Sequence, residues 1–260
     1  MDVLSYFVSL DDYAMTDVTR FVRILDVIEL QHKRTTNAQE RLGAPGSVVI
    51  RDHISSRQVR VQFVLLTSAP AERTQALSDL SAWAMQGEYL KISDRPGQQL
   101  RVGCTDIPLT MSKRKWTETC EVTFTAFSQP FWEDVTPVQA AATLTEGTLP
   151  IFAPGNVRQI PLTVSITPQE ETLTSLTIAA NGAEMAFSGL AVPAGKTLAI
   201  DYAQGFLTAK WTADDGTVVP CLSCRTGAEF IPLNTRQQNT VAVRADVTVK
   251  VNAFARGWYW

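Results

Sequence analysis

Residues 117–132, TETCEVTFTAFSQPFW, decide the fold. Cys120, Val122, Phe124 and Ala126 alternate with Thr119, Glu121, Thr123 and Thr125. A period of two places the first set on one face and the second on the other, as in a strand with one face on a core. The run breaks at Gln129-Pro130, because proline lacks a backbone N–H and restricts the residue before it. Phe131 and Trp132 follow at once. Two bulky aromatics just past a strand end want a pocket, and the expected pocket is the seam with the next part of the chain. Upstream lies a charged segment that contains a helix pattern; downstream lies a lightly charged run of short strands. The stretch therefore closes a first domain, and the expected division is 1–135 and 136–260.

Bulk properties agree with two domains. A chain of 260 residues is long enough for them. Residues 1–135 carry 32 charged side chains and residues 136–260 carry 17, so the two parts have different surfaces. The net charge of -3 offers no basic surplus for nucleic acid. The opening residues MDVLSYFVSL include Asp2 and no basic region, which argues against a secretory leader. No run approaches the ~20 apolar residues of a membrane helix. Four cysteines in this length make no disulfide scaffold. The expectation is a protein made in a cytoplasm, without membrane insertion or nucleic-acid-specific binding.

In the first part, residues 17–31 are dense in β-branched side chains and read as a strand. Residues 32–47, HKRTTNAQERLGAPGS, read as a long exposed loop. Loops of that length often bind something, and Lys33, Arg34 and Arg41 make this one mildly basic. Val48-Val49-Ile50 starts a strand. Arg57–Leu66 is a cleaner one, with Val59, Val61, Phe63 and Leu65 facing in. Residues 68–86 change period: a helix over 70–86 presents Leu77, Leu80, Trp83 and Ala84, with Pro70 in its first turn and Gly87 as its stop. Short strands are expected at Glu88–Ser93, Leu100–Thr105 and Ile107–Met111, with a turn at 94–97. Lys113-Arg114-Lys115 is a solvated hairpin tip or a contact for an acidic partner.

Residues 136–160 carry weak signals and read as a linker with an edge or swapped strand at Thr148–Phe152. Beyond them, short strands alternate with turns. Leu173–Ile178 and Ala183–Phe187 flank Asn181-Gly182, a strong hairpin signal because both residues tolerate positive φ. Thr197–Asp201 and Phe206–Trp211 flank a second hairpin, Asp214-Asp215-Gly216 marks a turn, and Glu229-Phe230-Ile231 is a brief strand. In Asn239–Asn252, valines and an alanine at every second position make a long inward-facing strand. The expected class is mainly β: two β-sandwich domains, the first with one packed helix, the second galectin-like or jelly-roll.

Catalytic patterns are sparse. His32 and His53 are the two histidines, and neither has carboxylates at a ligand-like spacing. Cys221-Leu222-Ser223-Cys224 is a CxxC in β-rich sequence, without the four ligands of a structural zinc site or the βαβ setting of a redox pair. Glu170-Glu171 and Asp214-Asp215 sit in turns, and adjacent strand residues point opposite ways. No catalytic residue, cofactor or metal ligand is expected. Aromatics stand out instead. Phe254, Trp258, Tyr259 and Trp260 crowd the last seven residues. Either they tuck into their own sandwich or a neighbouring subunit holds them. The interface candidates are Lys33, Arg34, Arg41, Phe131, Trp132, Trp258, Tyr259 and Trp260.

Several stretches together resemble the distal tail protein of long-tailed, non-contractile bacteriophages, the hub of the tail tip. They are LGAPGSVVIRD at 42–52, RQVRVQFVLL at 57–66, LSAWAMQGEYLKISDRP at 80–96, FTAFSQPFW at 124–132 and LAIDYAQGFLTAKW at 198–211. The resemblance implies a ring of six copies built by the first domain around the tail channel, with a galectin-like second domain outside it. It implies a tail tube protein on one side, a tail-tip or baseplate hub protein on the other, and receptor-binding proteins as further partners. The alternatives are a carbohydrate-binding module that assists host adsorption, resting on the second sandwich and its aromatics, and a glycan hydrolase, which needs two carboxylates in one cleft.

Overall fold

The computed structural model describes residues 6–30, 34–40, 47–106, 119–203 and 205–260, with the side chains of 34–40, 47–54 and 203 outside that description. The chain is mainly β. It divides into two compact units, Met1–Trp132 and Glu133–Trp260.

Unit 1 runs through β1 (Val8–Leu10), β2 (Tyr13–Ala14), the one-turn helix α1 (Met15–Val18), β3 (Val22–Leu30), β4 (Arg34–Glu40), β5 (Ser47–Ile54) and β6 (Arg57–Leu65). Helix α2 (Pro70–Gln86) follows, then β7 (Tyr89–Ile92), β8 (Gln98–Arg101), β9 (Gly103–Asp106) and β10 (Cys120–Ala126). One sheet has the order β3-β6-β10-β9; β2-β1-β7-β8 lie side by side in another, and β4 and β5 form a hairpin. On β6, Val59, Val61, Phe63 and Leu65 are all buried, as the alternation requires. Strand β10 pairs antiparallel with β6 from Cys120↔Phe63 to Ala126↔Arg57.

Both faces of β10 are covered, which the alternation did not anticipate. Thr123 and Thr125 are buried along with Val122 and Phe124. The Thr105 hydroxyl donates to the Thr123 carbonyl at 3.2 Å and lies 2.9 Å from the Thr125 hydroxyl, so the polar face is buried with its groups satisfied. Helix α2 seats Ala76, Leu80, Trp83 and Ala84 inward. The Trp83 ring meets Phe124 edge-on at 6.1 Å, and its Nε1–H donates to the Tyr13 carbonyl at 3.0 Å. Glu72 fixes the helix start by accepting from the N–H and hydroxyl of Ser68 and from the N–H of Ala69. Leu77 is only half-buried, at the margin of the stripe. Gly87 ends the helix in an extended conformation, φ -81°, and not in a left-handed cap. It is glycine because a Cβ there would stand 2.5 Å from the Leu10 Cβ.

A further expectation changes. Residues 34–40 are a strand paired with β5, and not part of a loop. Backbone pairing makes β4, and its polar sequence shows no period of two. His53 lies within β5. Strands β1 and β2 are joined by a tight turn with Asp11 and Asp12 at positive φ, and the Asp11 carboxylate accepts from the N–H groups of Glu88 and Tyr89. The strand expected at 107–111 and the basic run at 113–115 lie outside the described residues.

The division falls within β11 (Trp132–Asp134). Unit 2 continues with β12 (Val138–Ala153), β13 (Gln159–Pro168), β14 (Leu173–Ala180), β15 (Ala183–Val192), β16 (Leu198–Ala203) and β17 (Phe206–Thr212). It closes with β18 (Val218–Pro220), β19 (Arg225–Gly227), β20 (Pro232–Asn234), β21 (Gln237–Ala255) and β22 (Trp258–Tyr259). The order is β18-β17-β16-β13-β21-β14-β15-β19, with β12 also on β21 and β20 on β13.

Strand β21 organises this unit. Its C-terminal half pairs with β13 and its N-terminal half with β14, so one strand joins the two halves of a single ten-stranded sheet. Strand β12 follows β21 from end to end. At the corner, Ala245–Thr248 of β21 stand opposite Thr145 alone, between the pairs Leu144↔Val249 and Glu146↔Arg244. Bends of this kind let a strand turn the corner between two such halves. The Asp246 carboxylate secures the corner by accepting from the N–H and hydroxyl of Thr174. Inside lie Val164, Ile166, Ile178, Phe187, Val243 and Val251, among others.

The expected linker at 136–160 is thus mostly a 16-residue strand. Alanines, threonines, Gly147 and Pro150 hide it, since its partner supplies the order. Glu229-Phe230-Ile231 is not a strand; the pairing begins one step later at β20, although the Ile231 carbonyl accepts from the Leu162 N–H at 2.9 Å. Asn181 and Gly182 turn at φ 51° and 82°, as the hairpin requires.

Candidate functional site

Each candidate residue was placed by its own element. In unit 1, Trp132 is fully buried. Its Nε1–H donates to Glu29 Oε2 at 2.9 Å, and the Arg95 guanidinium lies 5.6 Å from its ring centroid. Arg95 also grips Glu29 through Nε at 3.0 Å and a second nitrogen at 3.1 Å. Arg57 approaches the same carboxylate at 3.5 Å. Burial lowers the Arg57 pKa to about 10, Glu29 opposing and Arg95 assisting that shift, so the group stays charged at neutral pH. Phe131 is half-exposed. Arg34 opens β4; Lys33 and Arg41 lie outside the described residues.

In unit 2, the terminal aromatics are held by their own chain. Trp258 packs against the core. Its carbonyl accepts from the N–H of Asn156 at 2.9 Å, over Gly155 at φ 110°, where a Cβ would stand 2.6 Å from that oxygen. Asp134 Oδ2 accepts from the Gly257 N–H at 3.1 Å and the Tyr259 hydroxyl at 3.2 Å. Burial raises the Asp134 pKa against those bonds, and burial beside Asp134 raises that of Tyr259. Arg256 pairs with Glu133 at 3.3 Å. The Trp260 N–H donates to Asn156 Oδ1 at 2.8 Å while the residue stays 41 % exposed. Sequence gave no sign of Glu29, Asp134 or Asn156, because each acts over a long chain separation.

A shallow trough of about 310 Å³ lies on unit 2, between Glu146, Thr148, Thr177, Glu184 and Arg244. Its floor is glycine, alanine and valine, and its lining has no aromatic ring for a sugar to stack on. The four cysteines are free. Burial raises the Cys221 and Cys104 pKa values, which favours the thiol over the reactive thiolate. Among the described residues no group of three or more His, Cys, Asp or Glu could hold a metal ion, and no helix is long and apolar enough to cross a membrane.

No protein-family profile matches the chain, and no curated protein matches it. Solved structures do. SPP1 Dit, described as a paradigm of the hub adsorption apparatus in phages infecting Gram-positive hosts, superposes with a TM-score of 0.68 at 10 % identity, covering 96 % of this chain and 98 % of that one. A chain of the phage p2 baseplate in its activated conformation gives a TM-score of 0.49 at 12 % identity, covering 92 % and 97 %. The chain therefore has the fold of SPP1 Dit over 96 % of its length.

Proposed function

We propose that this chain is a distal tail protein, a structural component of a phage virion at the tail tip. The observation that carries this is the full-length correspondence with SPP1 Dit, in which nearly all of both chains is matched. Short domains with a common sandwich fold recur in unrelated proteins. A two-unit chain matched throughout is a narrower coincidence.

In this reading six copies close into a ring through unit 1, joining the tail tube protein to the tail-tip or baseplate hub protein. Unit 2 is the outer, galectin-like domain, where receptor-binding proteins attach. A ring needs heterologous contacts, one face meeting a different face of the next copy. The basic stretch with Lys33, Arg34 and Arg41, and Phe131 beyond β10, supply candidates for unit 1. The exposed Trp260 supplies one for unit 2. The protein would be assembled in the host cytoplasm.

The test is incubation of the purified protein with tail tubes lacking their tip. The expected result is co-sedimentation and a cap at one tube end in micrographs. Free protein that leaves the tubes bare would overturn the proposal.

A further inference from the structure

Strand β12 is a sheet edge of unusual length. It pairs with β21 along one side, and no described residue pairs with its other side. A long open edge is a template for another strand, and proteins guard such edges with charges, prolines, glycines or bulges. The guards on β12 are all in its second half: the bulge between Leu144 and Glu146, then Glu146, Gly147 and Pro150. The first half, Val138–Leu144, has none. Pro137 bounds it on one end and the bulge on the other.

We infer that Val138–Leu144 is a strand-addition site for a second copy of this chain, paired antiparallel about a two-fold axis through Ala141. Self-complementarity of VQAAATL selects that occupant. Run against itself, it sets Val138 opposite Leu144 and Ala140 opposite Ala142 on the core-facing side, where all four already pack against the unit 2 core. Gln139 meets Thr143 on the exposed side. No like charges face each other, and no residue lacks its N–H. The contact is isologous and so differs in kind from the heterologous contacts of a ring. It stands or falls apart from the ring. Seven residues a side make a small interface, below the ~1,200 Å² of stable complexes, so the pairing is weak between free copies and strengthens where several copies are held together.

Cross-linking of the full-length protein tests this. Opposed residues of an antiparallel pair stand ~5 Å apart, within disulfide reach. Ala141→Cys lies on the axis and faces its own copy; Gln139→Cys faces Thr143. Under mild oxidation, with the unaltered protein as the baseline, Ala141→Cys is expected to form disulfide dimers on the order of tenfold faster than Gln139→Cys. The double variant Gln139→Cys with Thr143→Cys should regain the fast rate, and Thr148→Cys, beyond the bulge, should stay slow. Equal rates for Ala141→Cys and Gln139→Cys would overturn the inference. So would fast dimers at Thr148→Cys alone. Absence of Ala141→Cys dimers at every protein concentration would overturn it too.

Discussion

Glu29 carries more of unit 1 than any catalytic-looking residue. It neutralises Arg57, holds Arg95 in a two-pronged pair and accepts the Trp132 indole N–H. Glu29→Gln keeps an acceptor but removes the negative charge that faces the buried Arg57 guanidinium and Arg95, and breaking a buried pair in this way typically costs ~3–5 kcal/mol. Chemical denaturation followed by tryptophan fluorescence should show it. The half-exposed pair Arg60–Glu121, at 3.5 Å, is the contrast. Arg60→Ala should cost less than ~1 kcal/mol in the same measurement.

Two aspartates of unit 2 titrate in opposite senses. Asp246 is pushed up by burial, but its bonds to Thr174 and Ser175 hold it below its ordinary value overall. Its stabilisation is present above the unfolded aspartate pKa and fades as pH falls through the lower folded value. Asp134 is raised by burial, so its ionised form weighs against the fold and protonation relieves that as pH falls. Thermal melts across the acid range should therefore show Asp246→Asn with a flatter loss of stability at low pH. Asp134→Asn should lose the gain that the native protein makes on protonation there.

Among the elements, those with an apolar side were legible. Strands β6 and β10 and helix α2 each show their period, and the Asn181-Gly182 turn shows its backbone need. Trp83→Ala should remove ~3–5 kcal/mol from unit 1, because a large ring between α2 and Phe124 leaves a cavity. Unchanged thermal stability would contradict that packing. Strand β4 was not legible, since it takes its order from a neighbour and shows no periodic apolar residues of its own; in β12 the alternation of Val138, Ala140, Ala142 and Leu144, resumed at Leu149, Ile151 and Ala153, is masked by small side chains, Gly147 and Pro150. The Trp132–Glu29 bond joins residues 103 apart, a distance over which local patterns say nothing. The terminal aromatics were legible as needing a site, but not which site. Gly257 is part of it: a Cβ there would fall 2.4 Å from Asp134 Oδ2. Gly257→Ala should free the last residues, read as faster carboxypeptidase trimming and a lower melting temperature of unit 2.

At the scale of the molecule, two sheet-built units with open edges suit assembly. The fold likeness to SPP1 Dit supports the proposed place of that assembly at a tail tip. The most direct test is the mass of the particle the protein forms, by native mass spectrometry at rising concentration. A six-membered ring of 28.6 kDa chains weighs about 172 kDa. The account predicts that mass, or about twice it if rings also pair through β12. A species that stays at the mass of a single chain at every concentration and with tail tubes present would contradict it.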